Sequence, residues 1–328
     1  MSKLLAPAFA AIFLAAAGLA QAPAKSAAQK PVKATAPARS ADGHVDLSGV
    51  WTHATTVPVE RPKELGSKEF YTAEEIQANA KRAADRAAAQ ATQETGDLAV
   101  HYDTVQFGLT GSQTQRAASM RTSIITGPEG RIPPVLPAAA KRNQDRNAAR
   151  LARQWDSYEF RPLAERCYTW GNVGPPMMPV GYNSNMEIRQ SPGYMVIVQE
   201  MIHDARVIPT DGRPQISSGI QQWFGSPSGR WEGDTLVVET GNFTNRTNFR
   251  GSSDQLKVTE RFMRSGPDSI TYQFTVSDPA TWEKSWSGEV SMAKMDTPLY
   301  EYACHEGNYG MSNILTGVRV EEAKAAKK

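Results

Sequence analysis

His203 stands in Glu200-Met-Ile-His-Asp-Ala-Arg206, and His305 in Glu301-Tyr-Ala-Cys-His-Glu-Gly-Asn-Tyr309. An imidazole titrates closest to neutral pH, so with a carboxylate to orient it and an arginine to hold an anionic substrate it can serve as a general base. On this reading His203, His305, Glu301, Glu306 and Asp204 carry the acid–base chemistry, while Arg206, Asn308 and Tyr309 contact the ligand. The alternative is that these groups satisfy one another at the mouth of the fold. Geometry limits the second cluster, because residues four apart lie roughly 13 Å apart on a strand but adjoin on a helix. A direct Glu301–His305 pair therefore needs a turn, which Gly307 and Gly310 could supply.

Other chemistries have less support. The chain has no His-Glu-x-x-His, His-x-His or Cys-x-x-Cys, so no metal site is expected; a divalent ion would require His203, His305 and one carboxylate to converge in space. There is no Gly-x-Ser-x-Gly elbow, and Cys304 and His305, adjacent on a strand, would face opposite sides. A glycine-rich phosphate loop leading into a helix is also lacking, so no organic cofactor is expected. The 36 basic and 34 acidic residues nearly cancel, giving a formal net charge of +2 without the sustained basic face of a nucleic-acid partner. Trp223, Trp231 and Trp282 could line a pocket for an amphipathic small molecule, or simply pack a core.

The elements that must position these residues begin with an export signal. Lys3 precedes the apolar run Leu4 to Ala20, and small residues suit cleavage after Ala20 or after Ala24. Pro7 and Gly18 interrupt the run, which is too short for a stable membrane anchor. We take residues 1–20 as a signal peptide, 21–42 as an Ala/Pro/Lys linker with too little apolar area to order, and the product as periplasmic or extracellular. In that setting Cys167 and Cys304 read as a disulfide, with unpaired thiols or a reactive Cys304 as the alternatives.

The rest, 43–320, reads as a single β-rich domain with a helical arm at about 72–156 and a disordered tail at 321–328. Thr72 and Glu75 form a capping box ahead of an Ala-rich helix to about Thr92, and a second surface helix follows from Pro137 to Trp155. Arg121 to Ile125 reads as a short strand. Alternation then dominates: strands are expected near Asp46–Trp51, Tyr194–Val198, Ala205–Ile208, Arg230–Glu239 as a hairpin, Val258–Met263, Ile270–Val276, Trp286–Met292 and Pro298–Cys304. Short strands joined by tight turns predict an antiparallel meander closing into a barrel or sandwich, and Gly49-Val-Trp51 has the form that opens lipocalin-like barrels.

Several stretches together resemble a family of uncharacterised secreted proteins of environmental bacteria: Arg121-Thr-Ser-Ile-Ile with Gly130-Arg-Ile-Pro-Pro, Glu165-Arg-Cys, Tyr182-Asn-Ser-Asn, Glu200-Met-Ile-His-Asp-Ala-Arg-Val-Ile-Pro with Asp211-Gly-Arg, Gly229-Arg-Trp-Glu-Gly-Asp-Thr-Leu-Val-Val-Glu-Thr, Asp278-Pro-Ala-Thr-Trp and Leu299-Tyr-Glu-Tyr-Ala-Cys-His-Glu-Gly-Asn-Tyr. The likeness runs from about residue 100 to 318. It implies export and a β-rich fold, and it assigns no catalytic role to any residue. The sequence therefore leads to an exported protein that binds a small organic ligand in a β-barrel-like pocket. A cofactor-independent lyase, isomerase or hydrolase using the same wall is the second reading, and an envelope structural or interaction protein the third.

Overall fold

The structure is a computed structural model that describes residues 38–91, 115–246 and 249–327, with side chains of the first helix described as far as Asp85. The expected signal peptide and all but the end of the expected linker lie outside the described residues. Residues ahead of the expected boundary at 43 are already bonded to the domain, since Arg39 bridges to Val45 and the Gln190 side-chain amide donates to Ser40 Oγ at 2.8 Å.

Alternating side chains build one antiparallel sheet. In β8 (Ser269–Ser277) Ile270, Tyr272, Phe274 and Val276 are buried while the residues between them are half-buried. Each such apolar side chain removed from water contributes about 1.5–3 kcal/mol, which holds the strand's register against its neighbours. The other strands are β1 (Gly49–Thr52), β2 (Asn185–Ser191), β3 (Tyr194–Gln199), β4 (Ala205–Pro209), β5 (Ser226–Glu232), β6 (Thr235–Gly241), β7 (Lys257–Gly266) and β9 (Trp286–Met295). The nine strands run in the order β4-β3-β2-β1-β9-β8-β7-β6-β5, every pair antiparallel. The β5–β6 hairpin turns on Gly233, whose φ of +60° is what a primed two-residue turn requires at its first position. β1 is the long-range exception to the meander, seated between β2 and β9. Its Trp51 is fully buried, donates from Nε1 to Leu47 O at 3.0 Å and lies under the Arg264 guanidinium.

The expected barrel closure does not occur, nor does a two-sheet sandwich. No ladder joins β4 to β5 among the described residues; Gly212 N–H, just beyond β4, donates to Gly229 O at 3.0 Å. Pro209 at the end of β4, Pro214 beyond it and Pro227 in β5 lack the N–H groups a ladder would use. The concave face is also filled. Met177 and Met178 are buried there, with Met177 N–H donating to the Tyr272 hydroxyl at 3.0 Å, so chain occupies the space a lipocalin-like ligand would take.

The first helix, α1 (Ala73–Ala91), begins at the expected reciprocal box: Thr72 N–H donates to Glu75 Oε2 at 2.8 Å and Glu75 N–H to Thr72 Oγ1 at 3.3 Å. α2 (Pro137–Ala152) starts at Pro137 and buries only Ala139 among its residues. Three other expectations are corrected. Residues 121–125 make two isolated bridges, Phe70–Arg121 and Ile125–Gly288, in place of a strand. Residues 298–304 leave the sheet, because Pro298 interrupts pairing and Cys304 is bonded to Cys167. The expected tail at 321–328 is helical through Ala325, within α3 (Tyr309–Ala325). Among the described residues no helix is long and apolar enough to cross a membrane.

Candidate functional site

The residues chosen from the sequence are distributed rather than gathered. Strand alternation turns Arg206 inward, where it is 7% exposed and ion-pairs with the fully buried Glu260, Nη1 to Oε1 being 2.8 Å. His203 lies in the tight turn before β4, exposed and with φ at +60°, its backbone N–H donating to Glu200 O at 3.2 Å. Glu200 is itself buried and accepts from Asn183 Nδ2 at 2.6 Å and Asn185 Nδ2 at 3.0 Å. Burial pushes the half-buried Asp204 carboxyl up, with Arg206 acting against it.

Glu301, His305, Glu306, Asn308 and Tyr309 are all exposed, in the irregular segment that the disulfide ties to Cys167 and at the start of α3. Asn308 is turned toward the backbone, donating to Glu165 O at 3.3 Å. The expected wall of His203, Arg206, Glu301 and His305 is therefore not assembled: Arg206 faces the core, and both histidines face solvent. Trp282 is core, edge-on to Trp286 at 5.6 Å, and the half-buried Trp231 stacks on His44 at 4.5 Å. Among the described residues no cluster of three or more His, Cys, Asp or Glu could hold a metal ion.

Trp223 is different, for it lines an open cleft of about 930 Å³ outside the sheet. One wall is α2, whose Asn143, Arg146, Asn147 and Arg150 recur at the i, i+3, i+4, i+7 spacing of a single helical face. The helix is docked by Arg142, which donates to Ala280 O at 3.1 Å, Gly251 O at 3.1 Å and Thr281 Oγ1 at 2.9 Å. Gly251 allows the close approach: at φ +82°, a Cβ there would stand 2.2 Å from Asn143 Nδ2. The opposite wall is the 159–168 segment with Arg161, Arg166 and Tyr168, and Arg246 completes the rim.

Five arginines thus line the cleft against one carboxylate, Glu159, among the described residues. Arg161 is paired, Nη2 standing 2.7 Å from Glu165, and its guanidinium lies over Trp155 at 4.6 Å. Arg166 donates to Glu159 O at 3.0 Å and lies 4.8 Å over the Tyr168 ring, which stacks on Trp223 at 5.3 Å. Arg146 Nη1 and Arg166 Nε are buried with no hydrogen-bond partner among the described residues. A guanidinium is always protonated and presents its donors in a fixed fork, so this concentration of charge suits a carboxylate, sulfate or phosphate group.

The Cys167–Cys304 disulfide, with Cα atoms 5.8 Å apart, forms beside this wall and belongs to an oxidising environment. Cys167 sits between the cleft residues Arg166 and Tyr168 in a left-handed conformation at φ +59°. The arginine face of α2 was readable as a helical stripe, but its partner segments are distant in sequence, and composition alone does not show that they enclose a cleft.

Neither a family model nor a curated protein matches the chain. Among solved structures, a secretary abundant heat soluble protein from Ramazzottius varieornatus is similar over 34% of this chain and 69% of that one, at 9% identity and a TM-score of 0.23. A likeness that slight carries no argument about fold or function.

Proposed function

We propose that the protein is exported and binds a small organic anion in the arginine-lined cleft between α2, the 159–168 segment and Trp223. The observation that carries this is the gathering of five arginines against one carboxylate, Glu159, around one open cleft among the described residues. Charge-assisted hydrogen bonds from a guanidinium fork are among the strong ones, and an anionic ligand seated between the walls would accept them. The volume of about 930 Å³ falls within the usual range of small-molecule sites. The disulfide and the Lys3 to Ala20 leader support export. Acid–base catalysis has less support, since arginines keep their protons and the two candidate histidines stand elsewhere.

Thermal shift and calorimetry against matched pairs of carboxylates and their uncharged amides test the reading. A carboxylate at a hundredfold excess over its Kd stabilises the protein by about 2.7 kcal/mol, several degrees in Tm, and its amide does not. The double variant R146Q/R150Q loses the response. Equal binding of acid and amide, or full binding by the double variant, would overturn the assignment.

A further inference from the structure

A second cleft, of about 370 Å³, adjoins the first, and Trp223 lines both. The segments interleave: Leu163, Tyr168 and Gly251 face the arginine cleft, while Ala164, Thr169 and Arg250 face the second. Its character is opposite. Trp170, Trp223, Phe224, Phe243, Phe249 and Leu256 dominate the lining, with Arg250 its one charged residue among those described. Open apolar surface gathered in this way beside a charged site marks a place for a ligand's apolar part.

The rings are held in place by backbone. Gln222 pairs in parallel with Phe243, through Gln222 N–H to Asn242 O at 2.9 Å and Thr244 N–H to Gln222 O at 2.9 Å, and Trp223 and Phe243 both line the cleft beside this bridge. Gly174, at φ +79°, leaves room for the Phe224 ring, since a Cβ there would stand 2.3 Å from Phe224 Cδ1. A preformed aromatic wall takes up a flat ring with little loss of side-chain freedom.

We infer that the ligand is the anion of an aromatic acid, its carboxylate among the arginines and its ring system in the aromatic cleft, with Trp223 between. This rests on the anion-binding reading and adds the substrate class. A dry cavity of roughly 150 Å³ takes one benzene ring, so the second cleft suits about two fused or linked rings. Five aromatic side chains, Trp170, Trp223, Phe224, Phe243 and Phe249, contribute to its lining, which favours a ring system over a straight alkyl chain.

The test uses the full exported chain, purified oxidised, and calorimetry with acetate, benzoate, 2-naphthoate, decanoate, 2-naphthamide and inorganic sulfate. Affinity should rise at least tenfold from acetate to benzoate and again to 2-naphthoate, with quenching of tryptophan fluorescence on binding. W170A should narrow the preference for naphthoate over acetate by about tenfold, and the ligand series stands without that variant should it fail to fold. If acetate or sulfate binds as tightly as naphthoate, or decanoate binds more tightly, the aromatic inference fails while the arginine reading stands. If naphthamide matches naphthoate, the arginine reading fails. If no anion binds, both fail.

Discussion

Arg206 on β4 and Glu260 on β7 form a buried ion pair although their strands are not neighbours in the sheet. The contact requires the sheet to curl until its two wings face one another. Arg206 also donates to Thr240 Oγ1 on β6 at 3.1 Å, and the Tyr272 hydroxyl on β8 donates to Glu260 Oε1 at 2.8 Å while accepting from Met177 N–H at 3.0 Å. Burial, with Glu260 beside it, holds the Tyr272 phenol well above its ordinary range, so it stays protonated as the donor. One network therefore ties the curl of the sheet to the segment that fills it. Curvature without edge pairing is sustained here by polar side chains inside the core.

Removing one partner of this pair leaves the other charged and buried. E260Q should destabilise the protein by about 3–5 kcal/mol in urea unfolding, and the double replacement R206M/E260L should recover much of the loss. A loss under about 1 kcal/mol for the single variant would show that the pair does not hold the curl.

His53 follows β1 and is fully buried, and burial pushes its imidazole down from 6.5 to about 4, the adjacent Met178 backbone acting the other way. The folded protein thus keeps the ring neutral where the unfolded chain would protonate it. Stability from this group is complete above pH 6.5, falls as pH drops from 6.5 to about 4, and is constant below, a total of about 3 kcal/mol. Urea midpoints measured across pH 3.5–8 should show this slope in the wild type and not in H53L. An identical slope in both would assign the acid sensitivity to other groups.

Much of the sheet is legible in the amino-acid order because strand alternation is a local property: Ile270, Tyr272, Phe274 and Val276 declare one face by themselves. The Thr72–Glu75 box is local too, and it fixes the start of α1. β2 escaped because Asn185 to Ser191 carries only two large apolar residues, Met186 and Ile188, and its strand state comes from being paired on both sides by β1 and β3. The expected wall is not assembled for a related reason. Polar clusters around His203 and His305 advertise chemistry, yet their outward placement is decided by a left-handed turn and by a bond to a cysteine 137 positions away. Trp223, which lines the cleft, was singled out from the sequence, while Arg146, Arg150 and Arg166 were not, because single basic residues on a surface helix look like ordinary solvated charge.

The disulfide should matter to binding as well as to folding. Closing 137 positions of chain contributes up to about 5 kcal/mol by restricting the unfolded state. Cys167 also holds Arg166 and Tyr168 at the cleft wall. The C167S/C304S variant, or reduction of the wild type, should lower Tm by several degrees and weaken aromatic-acid binding several-fold. Unchanged affinity in a folded, reduced protein would confine the bond to a stabilising role.

Arg142 offers a separate handle on the same cleft, because it docks α2 without lining the cavity. Its three bonds join the helix to Gly251 and to the Ala280–Thr281 turn, which Asp278 in turn organises by accepting from Thr281 Oγ1 at 2.7 Å and Ser253 Oγ at 2.9 Å. R142M keeps the apolar stem and removes those bonds, each worth about 1 kcal/mol or somewhat more for a charged donor. α2 buries only Ala139, so little else holds it down, and the helix should open locally before the sheet unfolds. Hydrogen exchange should accelerate across 137–152 but not across β7 to β9, and anion affinity should fall at least fivefold although Arg146 and Arg150 are untouched. Faster exchange with unaltered affinity would mean that the arginines of α2 do not hold the anion.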